Sequence, residues 1–378
     1  MTLHPQRDIG LYVHVPFCKQ RCHFCAFYLE IARAERIRTF CTALAQEIEL
    51  HRRQGSVGRR PLRSIYFGGG TPTVLPAVQL VSLLQRIRAT WPAEASVEIT
   101  VEAHPSTVSR SDLNVLADAG FNRISVGAES MDENDFARIG RPGHVQDTEA
   151  AVESARAAGF SNINLDLMYG LPGQSLDSWA KTLQSLLALR PTHVSCYALT
   201  IEDGTTLAQD IAGNVVPRPD ETLQIDMESA AETILKGSGF ARYEISNYAK
   251  PGFACRHNLL YWTGGDYLGL GPSAQSYVDG IRFGTISDLT AYTESLNKGS
   301  LPITERIALS DSEQQRDALV FGLRRMEGVP RHLIRPDMPQ YQALAQLRRH
   351  GMIECTDSHI RLTARGMRYA DSVAQELY

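Results

Sequence analysis

Residues 11–27 read LYVHVPFCKQRCHFCAF. Leu11, Val13 and Val15 alternate with Tyr12 and His14, the period of a β-strand, and Pro16 ends the run. Directly after it stand Cys18, Cys22 and Cys25, spaced Cys-x3-Cys-x2-Cys, with no fourth cysteine in the next dozen residues. Three thiolates satisfy three irons of a four-iron cubane and leave the fourth iron open, an arrangement for reactivity rather than for structure. A structural zinc site needs four ligands. Cys255 and His257, with one residue between them, are the pair that could in principle complete one. A disulfide framework is not indicated, because seven cysteines is an odd count in a long chain without a recognisable signal peptide. Cys41, Cys196 and Cys355 are isolated and read as small buried apolar residues.

The chain of 378 residues is long enough for two or three cores. A hydrophobic content of 43% and a charged content of 21% are those of a globular protein. Net charge −4 gives no pull toward nucleic acid or anionic lipid, and apolar runs such as HVSCYALTI are too short to span a bilayer. A thiolate-bound cluster favours a reducing compartment, so a cytoplasmic location is expected.

From Leu11 outward, strand-like and helix-like segments alternate. Strands are predicted at Leu11–Val15, Ser64–Phe67, Val97–Val101, Arg123–Gly127, Asn162–Leu167 and His193–Leu199. Amphipathic helices are predicted at Ala34–Arg52, Ala77–Arg88, Arg110–Ala119, Val145–Ala158 and Leu176–Leu189. Strand, helix, strand without hairpin signals means a parallel α/β sheet with right-handed crossovers. Six units suit an open, partial (β/α)6 barrel, with a doubly wound sheet as the alternative.

Polar groups cluster where these strands end. The cysteine triple follows the first strand and Gly68-Gly69-Gly70-Thr71-Pro72 the second. The third ends in Glu102, the fourth in Glu129, and the fifth carries Asp166. Ligands of parallel α/β folds bind at the carboxyl ends of strands, so these residues are predicted to share one active face. Three glycines in a row let the backbone approach a ligand closely. The run is neither a phosphate loop nor a dinucleotide fingerprint.

These motifs resemble those of the radical S-adenosylmethionine (radical SAM) enzymes. The resemblance is closest to the branch of oxygen-independent coproporphyrinogen oxidases and the HemW-type haem chaperones. It is carried by LYVHVPFCKQRCHFCAF, YFGGGTPTVL, VEAHPSTV, NRISVGAES, INLDLMYGLPGQSLDSW, YALTIEDGT and YEISNYAKPGFACRHNLLYWTGGDYLGLGPSAQS. The resemblance implies a [4Fe–4S] cluster on Cys18, Cys22 and Cys25, and S-adenosylmethionine on Tyr12, Gly69 and Glu102. Phe24, Gly70, Thr71, Glu129, Arg141 and Asp166 match positions that hold a second S-adenosylmethionine. Glu129 is a departure, since the family usually carries glutamine there. Phe27 stands where the oxidase has a further cysteine, and only ten residues precede Leu11 where the oxidase has a long arm. Both features point to the haem-chaperone side.

The segment from His257 to Trp262 fits an HNxxYW motif associated with haem in that group, which makes His257 the candidate axial ligand. Gln275 stands where the family often has histidine. The implied function is binding of haem as cargo and its transfer to an acceptor haem protein, with a respiratory protein or a transient membrane-protein partner as the candidates. The alternative is oxidation of coproporphyrinogen III or another radical reaction on a tetrapyrrole.

The expected organisation is a radical SAM core over 1–235, a connecting segment with the HNxxYW motif over 236–300, and a small winged-helix-like α+β domain over 301–378. That last domain reads as a packing module or lid closing the open barrel. Arg348, Arg349 and His350 are its only compact basic run, so nucleic acid is not an expected partner.

Overall fold

The computed structural model describes residues 9–378 apart from 56 and 59. The lead formed by residues 1–8 lies outside the described residues. Six strands follow the predicted order: β1 (Ile9–Val15), β2 (Leu62–Gly69), β3 (Ala93–Ala103), β4 (Arg123–Glu129), β5 (Asn162–Tyr169) and β6 (His193–Ala198). Between them run α1 (Ala34–Gln54), α2 (Ala77–Thr90), α3 (Arg110–Ala119), α4 (Val145–Ala157) and α5 (Leu176–Ala188). The helix boundaries have local causes. The Ser109 hydroxyl accepts from the Asp112 N–H while the Asp112 carboxylate accepts from the Ser109 N–H, which starts α3, and Gly120 at φ 103° ends it.

Helices α1 to α4 touch in succession on one face of the sheet, as in a barrel rather than a doubly wound fold. Strand alternation explains this. Leu11, Val13, Ile65, Phe67, Ile99, Val101, Ile124, Val126, Leu165 and Leu167 form one cluster with helix residues such as Leu44, Leu80 and Leu116. Truncating one of them, for instance Phe67→Ala, costs about 3–5 kcal/mol. The intervening residues, Tyr12, Ser64, Tyr66, Glu98, Thr100, Glu102, Ser125, Asn164 and Asp166, point the other way. The barrel interior is therefore polar, and it is there that ligands can be bound.

The main sheet is larger than six strands. Residues 241–308 add β7 (Ala241–Glu244), β8 (Asn247–Ala249), β9 (Asp266–Leu270), β10 (Gln275–Val278), β11 (Ile281–Thr285) and β12 (Ile303–Ala308). The order is β12-β11-β10-β9-β1-β2-β3-β4-β5-β6-β8-β7. β9 lies parallel to β1, with Leu268 opposite Leu11, so the parallel run has seven strands. The other additions are antiparallel. The sheet thus runs on to Ala308, beyond residue 300. The HNxxYW motif forms α6 (Arg256–Trp262), which packs against the first halves of β1 and β2.

The C-terminal residues form a small α+β unit. Helices Asp311–Gly322, Tyr341–Arg349 and Ala370–Leu377 surround an antiparallel sheet of Val329–Pro330, His359–Leu362 and Ile353–Cys355. It has its own core of Leu319, Leu323, Leu344, Leu347, Ile353 and Ile360. It docks through Arg282 and Asp317 at 2.6 Å, through Arg324 stacked 4.7 Å over Trp262, and through the Ile245 N–H donated to the Arg324 carbonyl. These contacts lie on β11, α6 and the β7–β8 hairpin, and no residue after Gln275 lines the main cavity. The unit packs against the frame and does not cover the cavity.

Candidate functional site

The carboxyl ends of the parallel strands open into a cavity of about 1170 Å³. Tyr12, Cys18, Cys22, Phe24, Cys25, Gly69, Gly70, Thr71, Glu102, Glu129, Arg141 and Asp166 all line it. Residues scattered over 155 positions of sequence, from 12 to 166, are thus gathered by one sheet edge.

The cysteine loop is held at several points by the backbone. The His23 N–H donates to the Ile139 carbonyl and the Leu207 N–H to the His23 carbonyl, at 3.0 and 2.9 Å. The Ala32 N–H donates to the Cys18 carbonyl at 2.9 Å. The Arg21 guanidinium crosses the loop and donates to the Cys25 and Phe27 carbonyls, each at 3.1 Å. The three thiols are therefore positioned before anything binds.

Burial pushes the Cys22 thiol up to about 11, against the pull of Arg141, and raises Cys18 against a hydrogen bond with Thr71. The Cys18 Sγ and Thr71 Oγ1 atoms lie 3.4 Å apart. Among the described residues no three His, Cys, Asp or Glu side chains converge on one ion. A cubane, by contrast, takes its thiolates at separate corners. The donor set fits a cluster.

The glycines serve different purposes. A Cβ on Gly70 would lie 2.6 Å from the Phe17 carbonyl oxygen and 3.1 Å from the Cys18 sulfur. One on Gly68 would lie 3.0 Å from both Glu102 oxygens, and Gly69 takes φ 113°. The run therefore seats the loop against the cysteines and leaves room for Glu102. Glu102 accepts from the Tyr66 hydroxyl at 2.7 Å and from the Gly69 N–H at 3.1 Å. Burial raises its carboxyl to about 7, and nearby Asp166 adds to the rise.

At the next strand Glu129 sits at φ 62°, a left-handed conformation that aims its carboxyl into the cavity. Burial lifts it to about 7 although Arg141 stands 3.7 Å away. Tyr197 donates to it at 3.4 Å, and the Arg141 guanidinium donates to the Gly127 carbonyl. Asp166 is fixed by Ser125 at 3.1 Å and Asn164 at 2.8 Å. Behind it His193 joins Asn164 at 2.6 Å to Tyr243 at 2.8 Å.

His257 is placed differently. It is 1% exposed, lies below the cavity and is not part of its lining. Its Nδ1 meets the Ser64 hydroxyl at 2.8 Å and its Nε2 the Tyr261 hydroxyl at 2.8 Å. Burial, with Arg123 adding, lowers its pKa to about 3, so the ring is neutral. Both nitrogens are engaged in hydrogen bonds within the fold. Cys255 is fully buried against Glu98 and reaches neither the cysteine loop nor a metal set. The cavity also recruits Tyr261 of the HNxxYW motif and three residues that motif reading passed over: His14, Tyr197 and Tyr267. Strand alternation is the signal that would have found His14, because it is in phase with Tyr12.

Residues 12–186 match the Radical SAM superfamily. Over 362 residues the chain is 31% identical to the heme chaperone HemW of Bacillus subtilis, covering 94% of this chain and 95% of that one. It is 30% identical over 374 residues to HemW of Mycobacterium tuberculosis strain H37Rv, covering 99% and 95%. Among solved structures, the coproporphyrinogen III oxidase HemN of Escherichia coli superposes with a TM-score of 0.85. That match is at 25% identity and covers 99% of this chain and 91% of the other. The chain belongs to the HemW family within the radical SAM superfamily. Among the described residues no helix is long and apolar enough to cross a membrane.

Proposed function

We propose that this protein carries a [4Fe–4S] cluster on Cys18, Cys22 and Cys25, binds S-adenosylmethionine beside it, and holds haem for delivery to an acceptor protein in the cytoplasm. The observation that carries the reading is the gathering of the cysteine triple and the strand-end residues in one cavity. Tyr12, Gly69 and Glu102 would hold the cofactor, and Phe24, Gly70, Thr71, Glu129, Arg141 and Asp166 a second molecule. A bound cluster supplies an open iron and an electron for a sulfonium. The chain's own share is to fix the thiols, to place carboxyls beside a cationic ligand, and to keep the site enclosed. Relatives named for haem chaperoning support the cargo. An acceptor haem protein, respiratory or membrane-bound, is the partner to seek.

The resemblance in fold to HemN favours a second reading, oxidation of coproporphyrinogen. Phe27, 71% exposed at the edge of the cavity where the oxidase has its further cysteine, speaks for the first. The test is to incubate the anaerobically reconstituted protein with coproporphyrinogen, reductant and S-adenosylmethionine. No protoporphyrinogen is expected, and its appearance would overturn the chaperone reading. In parallel, titration with haem should saturate a site on the protein.

A further inference from the structure

The three cysteines of the loop are held by unequal means. Cys18 ends a short strand, Phe17–Cys18, that pairs in parallel with Glu30–Ile31, and its carbonyl accepts from the Ala32 N–H at 2.9 Å. Cys22 adjoins His23, whose N–H and carbonyl are both bonded to the frame, at Ile139 and Leu207. Cys25 lacks such anchors. Residues 24–29 lie outside any helix or strand. Their one backbone–backbone hydrogen bond, from the Cys25 N–H to the Cys22 carbonyl at 3.2 Å, stays inside the loop. Before Cys25, Phe24 packs on the apolar cluster of Leu199 and Leu207. Beyond it, the Tyr28 hydroxyl joins Glu30 and the Leu289 N–H at 3.0 Å each. The stretch from Cys25 to Phe27 is left to Arg21.

The Arg21 Nη1 donates to the Cys25 and Phe27 carbonyls at 3.1 Å each, and its Nη2 to the Leu29 carbonyl at 3.4 Å. These acceptors are two residues apart, the spacing at which a neighbouring strand bonds an extended chain. We propose that Arg21 is the positioning residue for Cys25: its guanidinium stands in for a missing strand and sets the third thiol in place before a cluster arrives.

An irregular loop loses conformational entropy for every residue it fixes. A cluster that had to order its own ligand loop would be held more weakly by that amount. Hydrogen bonds from a charged donor are the stronger kind. The planar fork also bonds several carbonyls together, which the compact ammonium of a lysine does not. The role in holding a cluster rests on the proposed function, whereas the placement of Cys25 does not.

The experiment compares the native full chain with Arg21→Met and Arg21→Lys in two arms. In reduced, cluster-free protein, alkylation by iodoacetamide is followed peptide by peptide. Arg21→Met should speed alkylation of Cys25 about tenfold and leave Cys18 within about twofold of native. A general loosening of the fold would raise both. In reconstituted protein, the iron–sulfur absorbance of Arg21→Met should decay about tenfold faster under a chelator. Arg21→Lys keeps the charge without the fork and should follow Arg21→Met in both arms. Should thermal melts show that Arg21→Met does not fold, Arg21→Lys carries the comparison. Native alkylation of Cys25 in the variants, or full recovery by lysine, overturns the inference. A native chain that takes up no cluster overturns the proposed function instead, and the alkylation arm still decides the part of Arg21.

Discussion

Glu47 offers a quantitative test of how the cavity wall is held. It lies on α1, fully buried, and its Oε2 accepts from the Gly271 N–H at 2.7 Å and from the Tyr292 hydroxyl at 2.7 Å. Gly271 packs so close to the His14 carbonyl that a Cβ there would lie 2.4 Å from it, so Glu47 fixes the turn behind a cavity residue. Burial lifts its carboxyl from 4.5 to about 7. Between those values the folded chain binds more protons than the unfolded chain, so stability falls as pH rises through that window and stays lowered above it. The penalty is about 3 kcal/mol at about pH 8 and below ~1 kcal/mol at about pH 5. Glu47→Gln removes it and keeps both hydrogen bonds on the remaining carbonyl oxygen. Oε1 has no partner, so the amide nitrogen inherits an unsatisfied position costing about 1 kcal/mol at every pH. The variant should therefore be about 2 kcal/mol more stable than the native protein near pH 8, and about equal to it near pH 5. Paired urea titrations followed by tryptophan fluorescence at the two pH values measure this. A shift of the same size at both, or a loss of stability at the higher pH, would refute the reasoning.

Two predictions concern the cluster loop. Cys22→Ser should leave reconstituted protein without a stable cluster, and iron and sulfide contents equal to those of the native protein would remove Cys22 from the ligand set. Gly70→Ala forces a methyl group against the Phe17 carbonyl at 2.6 Å, a backbone atom that cannot turn aside. It should weaken S-adenosylmethionine binding at least about tenfold, with native-like affinity as the contrary result.

Much of this architecture was legible because two periodicities coincide. Alternation in LYVHV, SIYF and VEITV located three parallel strands, and the same alternation carries Tyr12, Tyr66 and Glu102 inward. Glu129 was legible as a strand end, but its left-handed backbone, which decides where the carboxyl points, leaves no trace in composition. The seventh parallel strand was missed because Asp266–Leu270 follows a hairpin and a short helix, and pairs with a strand 257 residues earlier through Leu268 and Leu11. Nothing local encodes that partner. His257 is the most instructive case. A motif reads it as a ligand, yet His257 and Tyr261 are four residues apart on one helix and so face each other. The helical spacing already implied the hydrogen bond that the structure contains.

A single cavity with both carboxyls and an aromatic wall has a thermodynamic consequence. Under the proposed function, S-adenosylmethionine, a sulfonium, is expected beside Glu102, Glu129 and Asp166, and Tyr261 and Tyr267 give the same cavity an aromatic wall that a porphyrin is expected to favour. Tyr12 lines the cavity in company with both sets and stacks on Tyr66, which holds Glu102. Ligands in this cavity would share a wall, and their affinities are expected to be coupled. Linkage requires the factor by which S-adenosylmethionine changes haem affinity to equal the factor by which haem changes S-adenosylmethionine affinity. A coupling of about 1–3 kcal/mol, five- to 150-fold, is the range in which such adjacent sites fall. Calorimetric titration of cluster-loaded protein with each ligand, in the absence and presence of the other, measures both factors. Factors different from one would establish the expected coupling, and inequality between them would expose an error in the titrations. Affinities that ignore each other would refute the expected coupling.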